Sequence, residues 1–418
     1  MWARIKLRIG WRDLLAGGIA CLPGGDHAAV RRKAETYWHG IDDAVAAYSV
    51  RSGFDLLLQA LDLDEGDEVI FSALNVKGMI NIARRAGLTP VPVDLDIDHF
   101  GPRLDKLKAA ITPRSKVLVV AHLFGTILEL DALFDLAREH GLLIVEDCAQ
   151  VFDGQAYTGH AKADVHLFSF GPLKTATALG GALIRVRDAG LREKMRTIQA
   201  EYPVQKTGNQ FKRVLKFATL KILTSRPALG GIYWFFNAFG RDYEDALSDS
   251  VRNVAKLGSA KKLRYQPCTA MLRLMNRRLY TFREGELEER AAQGRRLRDL
   301  LGDAVVLPGQ ANAAHSYWVF PLIVDQPNAF VKVLRAHGFD AANLPRSQAV
   351  SAPDGRPDLE PKTAAQALTD LIVVPCHQGM PDRELVREAE VIKRAALDIG
   401  TERTKAYASD RALSKSAA

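Results

Sequence analysis

A lysine and an aspartate lie in this 418-residue sequence where they could perform covalent chemistry. Lys174 lies between a strand-like run that ends near Ser169 and the glycine pair Gly180-Gly181, so we predict that it sits in a turn and not on a solvated helix face. Burial lowers the pKa of a lysine because the ammonium loses hydration, and the free amine is a nucleophile. Asp147 ends an apolar run, which predicts a carboxylate at the end of a buried strand.

These two groups are the ones that pyridoxal phosphate (PLP) requires. The amine bonds covalently to the aldehyde of PLP, and the carboxylate keeps the ring nitrogen protonated so that the ring accepts electrons. Ser169, five positions before Lys174, could hydrogen-bond the phosphate. The segment Ser52-Gly53-Phe54 is predicted to open a helix, whose backbone N–H groups and dipole suit the same phosphate.

Each of these residues also has a purely structural interpretation. A lysine in a loop is usually solvated, and Asp147 or Ser52 alone is more often a helix cap. Short motifs also give many false matches. The functional interpretation is favoured because the residues occur in this order on one framework of strands and helices.

That framework is an alternation of segments between residues 50 and 186. The predicted strands are continuous apolar runs, at Gly66–Phe71, Thr89–Asp94, Lys116–Ala121 and Leu142–Glu146. The predicted helices between them are Phe54–Leu63, Met79–Ala86, Leu104–Ile111 and Leu130–His140. Continuous apolar strands separated by helices predict an α/β fold with a mostly parallel central sheet sandwiched by helices. Ligands bind such sheets beyond the carboxyl ends of the strands, where Asp147 falls.

The alternation stops after Arg187, and a different pattern follows. Its predicted elements are helices at Arg283–Leu301, Phe330–His337 and Glu384–Leu397 and strands at Ser316–Val324 and Leu371–Pro375. They predict a smaller α+β C-terminal domain. We therefore predict an N-terminal segment (1–40), a large PLP-binding domain (41–200), a basic and aromatic insertion (201–258), a small C-terminal domain (259–400) and a disordered tail (401–418).

Composition restricts the classes of function. The formal net charge of +8 favours anionic partners and is equally typical of a basic cytoplasmic enzyme. The four cysteines form no CxxC pair, so the sequence predicts no metal site and a reducing, cytoplasmic location. No apolar run of about 18 residues predicts a membrane-spanning helix. No nucleic-acid-binding motif is recognisable either, so nucleic acid is not an expected partner.

Motifs between Ser52 and Arg187 resemble those of the DegT/DnrJ/EryC1/StrS family of sugar aminotransferases. The matching motifs are Ser52-Gly53, Gly66–Ile70, Ala86–Asp94, Ala110–Arg114, His122–Gly125, Glu146–Gln150, Phe168–Phe170, Lys174 and Gly180-Gly181. Looser matches follow at Ser316–Phe320 and Val374–Met380. The resemblance implies the PLP fold of type I and a homodimer whose active sites lie at the subunit interface.

The resemblance also implies roles for individual residues. Lys174 would bond to PLP and act as the general acid and base of the proton shift. Asp147 would pair with the ring nitrogen, and Gln150 would contact the oxygen side of the ring. The implied phosphate contacts are Ser169, Ser52, Gly53 and, through its backbone, Phe54.

Three positions depart from the family pattern. Phe54 stands where the family usually has a threonine, so a side-chain hydroxyl is lost. Val76 aligns with the aromatic residue that usually stacks on the cofactor ring. Arg264 is what remains of a segment that reaches the phosphate of the neighbouring subunit. With these departures the resemblance still implies cofactor binding, but it does not define the substrate.

The insertion at 201–258 is longer than the family usually has at this point. The sequence between residues 211 and 239 contains both basic residues and large aromatic residues. This pattern is typical of a helix that lies on an anionic membrane, and it is equally compatible with a helix that packs on a dimer partner or on the second domain. Membrane contact would agree with a lipid-linked substrate.

Three functions follow from these patterns. The leading hypothesis is an aminotransferase that moves an amino group from an amino acid, with glutamate as the expected donor, to a keto sugar on a nucleotide or lipid carrier. The second keeps PLP and changes the reaction. In the third the chain is a non-catalytic scaffold at the membrane, which the departures at Phe54 and Val76 favour and the presence of Lys174 and Asp147 does not.

Overall fold

The structure, a computed structural model, describes residues 1–238, 263–283, 285–343 and 347–400. Its strands are β1 Ala44–Ala47, β2 Glu68–Ser72, β3 Leu74–Val76, β4 Thr89–Val93, β5 Leu95–Asp96, β6 Gly101–Pro102, β7 Ser115–Ala121, β8 Thr126–Ile127, β9 Leu143–Asp147, β10 Val165–Ser169, β11 Ala182–Val186, β12 Ala314–His315, β13 Phe320–Ile323, β14 Ala342–Asn343, β15 Ser347–Ala349 and β16 Leu371–Val374. Its helices are α1 Trp11–Ile19, α2 His27–Glu35, α3 Val50–Leu61, α4 Lys77–Arg85, α5 Leu104–Ala110, α6 Asp131–Glu139, α7 Ala189–Ala200, α8 Thr207–Leu223, α9 Arg226–Ala238, α10 Thr269–Tyr280, α11 Glu286–Leu301, α12 Pro327–Ala336, α13 Lys362–Asp370 and α14 Asp382–Ile399.

The central sheet has seven strands in the order β1-β11-β10-β9-β7-β2-β4. The five strands from β10 to β4 run parallel, whereas β11 is antiparallel to both of its neighbours. The sheet strands are apolar throughout because both faces are covered, as expected for parallel strands. On one face Val69 and Phe71 pack with α3, α4 and α7, and on the other face Ile70 packs with α5 and α6. The predicted α/β class is confirmed.

A second, smaller unit is built around the antiparallel sheet β13-β16-β14. Phe320 lies opposite Val374 in its register. Side chains from α11, α12 and α14 cover one face of this sheet, and Leu322 and Ile372 are fully buried among them. This is the predicted α+β arrangement of the C-terminal part.

The structure differs from the predicted elements in three places. Helix α3 begins at Val50, earlier than predicted, because the hydroxyl of Ser49 caps it. The strand predicted at Ser316–Val324 is reduced to Phe320–Ile323, since the residues before it turn away, with Tyr317 at a φ of 43°. The first 40 residues contain helices α1 and α2, which the sequence interpretation left without structure.

The predicted domain boundaries stay predictions. Helix α10 lies beyond residue 259, and its Leu274 and Met275 pack with Phe168 of the large sheet and with Leu14 of α1. The predicted tail 401–418 and the end of the predicted insertion lie outside the described residues. Within the described ranges, none of the helices combines the length and the apolar character that a membrane crossing needs.

Candidate active site

The carboxyl ends of several parallel strands meet at one edge of the central sheet. Across this edge the register aligns Ala47 with Ala182 and Ala182 with Ser169. One strand further on, Asp147 lies opposite Ala121 of β7. The start of α3, Ser169, Asp147 and the loop that carries Lys174 therefore lie along the same edge, which is where ligands of such sheets bind.

Residues 170–181, here named the lysine loop, connect β10 to β11 and carry Lys174. The carbonyl of Phe170 accepts hydrogen bonds from the N–H groups of Ala178 (2.9 Å) and Gly180 (3.0 Å). The N–H of Lys174 donates to the carbonyl of Gly171 at 3.0 Å. These bonds close the loop on itself, so the lysine is held in a fixed turn, as the sequence predicts.

Lys174 is partly buried, and its ammonium nitrogen lies 4.3 Å from the centroid of the Trp318 ring. Burial lowers the pKa of Lys174 to about 8, and the nearby charge of Asp147 acts in the opposite direction. About a tenth of the Lys174 side chains are therefore in the nucleophilic free-amine form at pH 7, far more than for an ordinary lysine. The indole of Trp318 is fixed in turn, because its N–H donates to the carbonyl of Leu173 at 2.9 Å.

Asp147 is buried at the end of β9, with 8% of its surface exposed. Burial raises the pKa of its carboxyl, while the backbone N–H of Ala149 and the charge of Lys174 oppose the rise. That N–H donates to Oδ1 at 2.9 Å, and among the described residues it is the sole hydrogen-bond donor to the carboxylate. Oδ2 therefore has the capacity to accept a proton-bearing nitrogen from a ligand.

Gln150 and Ser169 lie beside this pair. The Oε1 atom of Gln150 accepts a hydrogen bond from the backbone N–H of Phe124 at 2.7 Å. That bond orients the side-chain amide so that Nε2 remains as a donor, which agrees with the predicted contact to a ring oxygen. The hydroxyl of Ser169 is partly exposed and accepts only a long bond, 3.4 Å, from the N–H of Gly171.

The start of α3 differs from its predicted geometry. The N–H of Gly53 donates to the carbonyl of Ser49 at 2.9 Å, and the N–H of Ser52 donates to the Ser49 hydroxyl at 3.2 Å. The N–H groups of Ser52 and Gly53 are thus engaged within the helix, and the phosphate contacts predicted for Gly53 and for the backbone of Phe54 stay predictions. The hydroxyls of Ser49 and Ser52, which lie 2.9 Å apart at the first turn, are the polar groups that the helix offers.

Close packing accounts for Gly53 and Phe54. A β-carbon at Gly53 would lie 2.4 Å from the side chain of Ile184, so glycine is required where α3 crosses the sheet. Phe54 is fully buried and packs against Phe71 with its ring centroid 6.1 Å away. The residue that replaces the family's threonine therefore belongs to the core, and its side chain takes no part in the site.

Two further residues of the predicted site, Val76 and Arg264, are exposed. Val76 ends β3 and is 46% exposed, so its aliphatic side chain is available where the family usually places an aromatic ring. Arg264 donates to Asp55 of α3 at 3.0 Å. The hydrogen bond to Asp55 raises the pKa of Arg264. Roles for both residues in cofactor binding remain predictions.

Helix α8 packs directly on the lysine loop. Gln210 donates to the carbonyl of Ala178 at 3.4 Å, and the guanidinium of Arg213 lies against Gly180. A β-carbon at Gly180 would lie 2.2 Å from Nη1 of Arg213, so this contact requires glycine. Arg213 also donates to the hydroxyl of Tyr48 at 2.9 Å.

Glu146, the neighbour of Asp147, points to the other face of the sheet into a buried hydrogen-bond network. Its Oε1 accepts bonds from His122 (2.7 Å) and from the hydroxyl of Tyr157, and its Oε2 accepts from the N–H of His160 (2.7 Å). Nδ1 of His122 accepts from the N–H of Leu128 at 3.2 Å, which assigns the proton of the neutral ring to Nε2. Burial opposes ionisation of Glu146, but the hydrogen bonds from His122 and Tyr157 outweigh it and lower the pKa to about 2.

His122, Glu146 and Cys148 are close enough to hold a metal ion. The donors already described occupy the carboxylate of Glu146, however, and the N–H of Leu128 occupies the other nitrogen of His122. Burial raises the pKa of the Cys148 thiol well above its ordinary value, so its metal-binding thiolate form is disfavoured. The arrangement is therefore better described as the hydrogen-bond network of Glu146.

Two residues of the site were not singled out from the sequence. Trp318 lies over Lys174 and was recognised only as part of a matching motif. Arg290 of α11 is 1% exposed and donates to the carbonyl of Ser316 and to the hydroxyl of Thr175 (3.2 Å), which joins the C-terminal unit to the lysine loop. Burial lowers the pKa of Arg290 to about 9. The charged helical pattern around Arg290 predicts a solvated side chain, so the sequence offered no signal for this role.

The chemistry of these donors agrees with what PLP needs. Lys174 offers an amine with a lowered pKa, and Asp147 offers a buried carboxylate whose Oδ2 is not saturated. Gln150 offers an oriented amide donor. A site of this kind on a mostly parallel seven-stranded sheet defines the PLP-dependent class of fold type I.

Comparison with known proteins places the chain within that class. The sequence model of the DegT/DnrJ/EryC1/StrS aminotransferase family matches residues 11–393. The chain therefore belongs to the DegT/DnrJ/EryC1/StrS aminotransferase family, as the motifs had indicated.

Curated relatives in the family have names that refer to amino sugars. The chain is 35% identical over 172 residues to a GDP-perosamine synthase of Caulobacter vibrioides, an alignment that covers 40% of this chain and 46% of the relative. It is 33% identical over 163 residues to a UDP-N-acetyl-3-dehydro-alpha-D-glucosamine 3-aminotransferase of Acidithiobacillus ferrooxidans, which covers 38% of this chain and 44% of that protein. These alignments span less than half the length of the curated relatives.

Solved structures show the same fold over almost the entire chain. The aminotransferase TlmJ of Streptoalloteichus hindustanus superposes with a TM-score of 0.67 at 18% identity and covers 95% of this chain and 99% of its own. The aminotransferase PseC of Helicobacter pylori, involved in the biosynthesis of pseudoaminic acid, superposes with a TM-score of 0.68 at 14% identity with the same coverage.

Proposed function

We propose that this chain is a PLP-dependent aminotransferase that moves an amino group from an amino acid, with glutamate as the expected donor, to a keto sugar on a nucleotide or lipid carrier. Such a reaction belongs to the biosynthesis of cell-surface polysaccharides or secondary metabolites. The observation that carries the proposal is the pairing of a low-pKa Lys174 with a buried, unsaturated Asp147 at the carboxyl edge of the sheet. Family membership supports it independently.

Each residue of the proposed site has a separate role in the reaction. PLP, when bound, supplies an electron-accepting ring that stabilises negative charge at the substrate carbon. Asp147 holds the proton on the pyridine nitrogen through Oδ2. The free amine of Lys174 would take a proton from the amine-bearing carbon of the amino-acid donor, and its ammonium form would later give a proton to the sugar carbon that receives the amino group. Gln150 orients the ring through Nε2, and Ser169 and Ser52 offer hydroxyls to the phosphate.

Trp318 has a separate task in this proposal. Its ring lies over Nζ of Lys174, where it excludes water from one side of the amine. Exclusion of water keeps the pKa of the amine low and prevents hydrolysis of reactive intermediates. We propose a positioning role for Trp318 and also for Arg290, which holds the adjacent Thr175 in place.

The substrate class rests on the named relatives, two of which have names that specify GDP- or UDP-linked sugars. We propose a keto sugar of this type for the present chain. We also propose a homodimer with active sites at the subunit interface, because Arg264, which remains of the family's segment that reaches the neighbouring subunit, is exposed. The four cysteines are free thiols, which agrees with a cytoplasmic location.

The first experiment is an absorbance spectrum of the purified chain with added PLP, for the wild type and for Lys174→Ala. We expect a visible band of lysine-bound PLP in the wild type that is absent from the variant. The exposed Lys332 is a matched control, and Lys332→Ala should retain the band. Added glutamate should bleach the band and release 2-oxoglutarate.

The absence of a wild-type band would overturn the enzyme proposal. It would favour a non-catalytic scaffold, in agreement with the buried Phe54 and the aliphatic Val76. A band that glutamate, aspartate and alanine all leave unchanged would instead favour a different PLP-dependent reaction.

A further inference from the structure

Three helices, of which α8 contacts both of the others, expose large apolar side chains. On α1 these are Trp11, Leu15 and Ile19, on α8 they are Phe211, Leu215 and Ile222, and on α9 they are Trp234 and Phe235. Trp234 is 71% exposed and Leu215 is 60% exposed, so these are solvated groups and not the edges of core residues. We name this surface the basic–apolar face.

The apolar residues of α8 form a stripe. Phe211, Leu215 and Ile222 recur at spacings of four and seven residues, which places them on one side of a helix. The adjoining side of α8 is buried through Val214, Phe217 and Leu220. The apolar residues of α8 therefore form a broad surface. One part of it is buried in the core, and the other part is exposed to solvent.

Helix α1 continues the same surface. A β-carbon at Gly17 would lie 3.2 Å from the side chain of Val214, so the two helices are in close contact. The ammonium of Lys221 lies 5.9 Å from the centroid of the exposed Trp11 ring. The exposed residues of the two helices thus form neighbouring stripes and not separate patches.

Among the described residues, the charged side chains on α8 and α9 are all basic. From Tyr202 to Ala238 the sequence contains no aspartate or glutamate, and it contains six basic residues, Lys206, Lys212, Arg213, Lys216, Lys221 and Arg226. The one acid of α1, Asp13, is buried in ion pairs with Arg277 (2.8 Å) and Arg278 (2.7 Å). Arg226 is paired with Glu384 at 3.8 Å and Arg213 packs on the lysine loop, so the positive charge of the face comes from Lys206, Lys212, Lys216 and Lys221.

A second copy of the chain is a poor partner for such a surface. A two-fold interface places the same patch against itself, so the lysines of one copy would meet those of the other. An anionic lipid surface has the complementary charge, and its interfacial region accepts tryptophan and phenylalanine side chains.

We propose that the basic–apolar face docks the protein on an anionic lipid bilayer, with α8 and α1 lying in the plane of the interface. Leu215, Phe211 and Trp234 enter the boundary between head groups and acyl chains. Lys212 and Lys216 flank the stripe and contact lipid phosphates. The exposed side chains of this surface are not among the predicted PLP contacts, so the proposal holds whether or not the chain binds PLP.

Vesicle co-sedimentation of the full chain tests the proposal. Vesicles of pure phosphatidylcholine are compared with vesicles that contain phosphatidylglycerol, at low and at high salt. We expect binding to the anionic vesicles only, with a partition coefficient that falls as salt rises. Lys212→Gln with Lys216→Gln should lower that coefficient about 30-fold, because each basic residue near the surface contributes about a fivefold factor.

Two more variants make the result specific. Lys393→Gln with Arg394→Gln removes the same charge from the exposed surface of α14 and should leave partitioning unchanged. Phe211→Ser with Leu215→Ser should lower partitioning at least about tenfold, because two buried apolar groups are lost. Thermal melting shows that each variant is folded.

Specific outcomes would overturn the proposal. Wild-type protein that stays in the supernatant with anionic vesicles would do so, as would equal loss of binding in the α14 variant. A Phe211→Ser, Leu215→Ser variant that changes from dimer to monomer in light scattering while its vesicle binding is unchanged would assign the face to a second copy instead.

Discussion

Glu146 and Asp147 are neighbours in the sequence, yet their carboxylates have opposite surroundings. The network around Glu146 saturates both oxygens with hydrogen-bond donors and lowers the pKa to about 2. Asp147 receives one N–H, and burial raises its pKa. Alternation along β9 sends one side chain to each face of the sheet, so two acids one residue apart perform different tasks.

The comparison gives a physical criterion for separating structural from functional acids. A buried carboxylate that the protein saturates with its own donors is complete without a ligand. One that the protein leaves partly unsaturated costs free energy until a ligand supplies the missing donor. Glu146 is of the first kind and Asp147 of the second. The predictions below test this division, from the largest expected effect to the smallest.

Asp147→Asn should lower the rate of transamination by about 100- to 1,000-fold, the usual result of removing a preorganised electrostatic contact. The amide can still accept the N–H of Ala149 through its oxygen, so the melting temperature should change little. Steady-state kinetics with glutamate and calorimetry provide the two values. A variant with full activity would show that the ring nitrogen does not depend on Asp147.

Glu146→Gln should show the reverse pattern. A carboxyl whose pKa is lower in the folded chain contributes stability above its unfolded pKa of 4.5 and loses it as the pH falls toward 2. The variant should lose about 3 kcal/mol of unfolding free energy at pH 7 and depend less on pH between 4.5 and 2. Urea unfolding measures both. Glu139→Gln on the surface of α6 is the control, and a loss as large in that variant would contradict the assignment.

The pH dependence of PLP attachment should show which of the two carboxylates, Asp147 or Glu146, affects Lys174. Only the free amine of Lys174 reacts, so the rate should fall about tenfold per pH unit below the pKa of about 8 and level off above it. Asp147 raises the pKa of Lys174, and Asp147→Asn should therefore move the inflection to lower pH. Stopped-flow absorbance gives the profile. An inflection that moves in Glu146→Gln and not in Asp147→Asn would reverse our assignment of the two acids.

Tyr157→Phe should give the smallest effect. The substitution removes one of several donors to Glu146, for which about 1 kcal/mol of unfolding free energy is the expected loss. Activity per folded molecule should stay near that of the wild type. A large fall in activity without a loss of stability would show that the network of Glu146 takes part in the reaction.

Much of the fold of the large domain could be predicted, because the apolar runs of the sequence coincide with the buried strands of the sheet. The continuous apolar runs around Val69, Leu118 and Val145 predict parallel strands, and the structure confirms them. The N-terminal helices could not be predicted in this way. Helix α1 depends on contacts with residues far along the chain, such as the ion pairs of Asp13 with Arg277 and Arg278.

The candidate site shows the same division. Lys174 and Asp147 are brought to one edge as predicted, because motif order and strand ends fix their places. Trp318 and Arg290 reach the lysine loop from the C-terminal unit, and no local pattern marks a residue whose partner lies more than 100 positions away. Phe54 is the opposite case. It aligns with a residue that binds the ligand in the family, but its side chain is buried in the core.

The two-sided contact of helix α8 restricts how its length can change. Gln210 and Arg213 must face the lysine loop while Leu215 and Ile222 face outward. A single inserted or deleted residue turns everything that follows it by about 100°. An indel between Arg213 and Leu215 would therefore leave Gln210 and Arg213 on the loop but turn Phe217 and Leu220 out of the core. Relatives that keep this helix should tolerate substitutions along it but few changes in its number of residues.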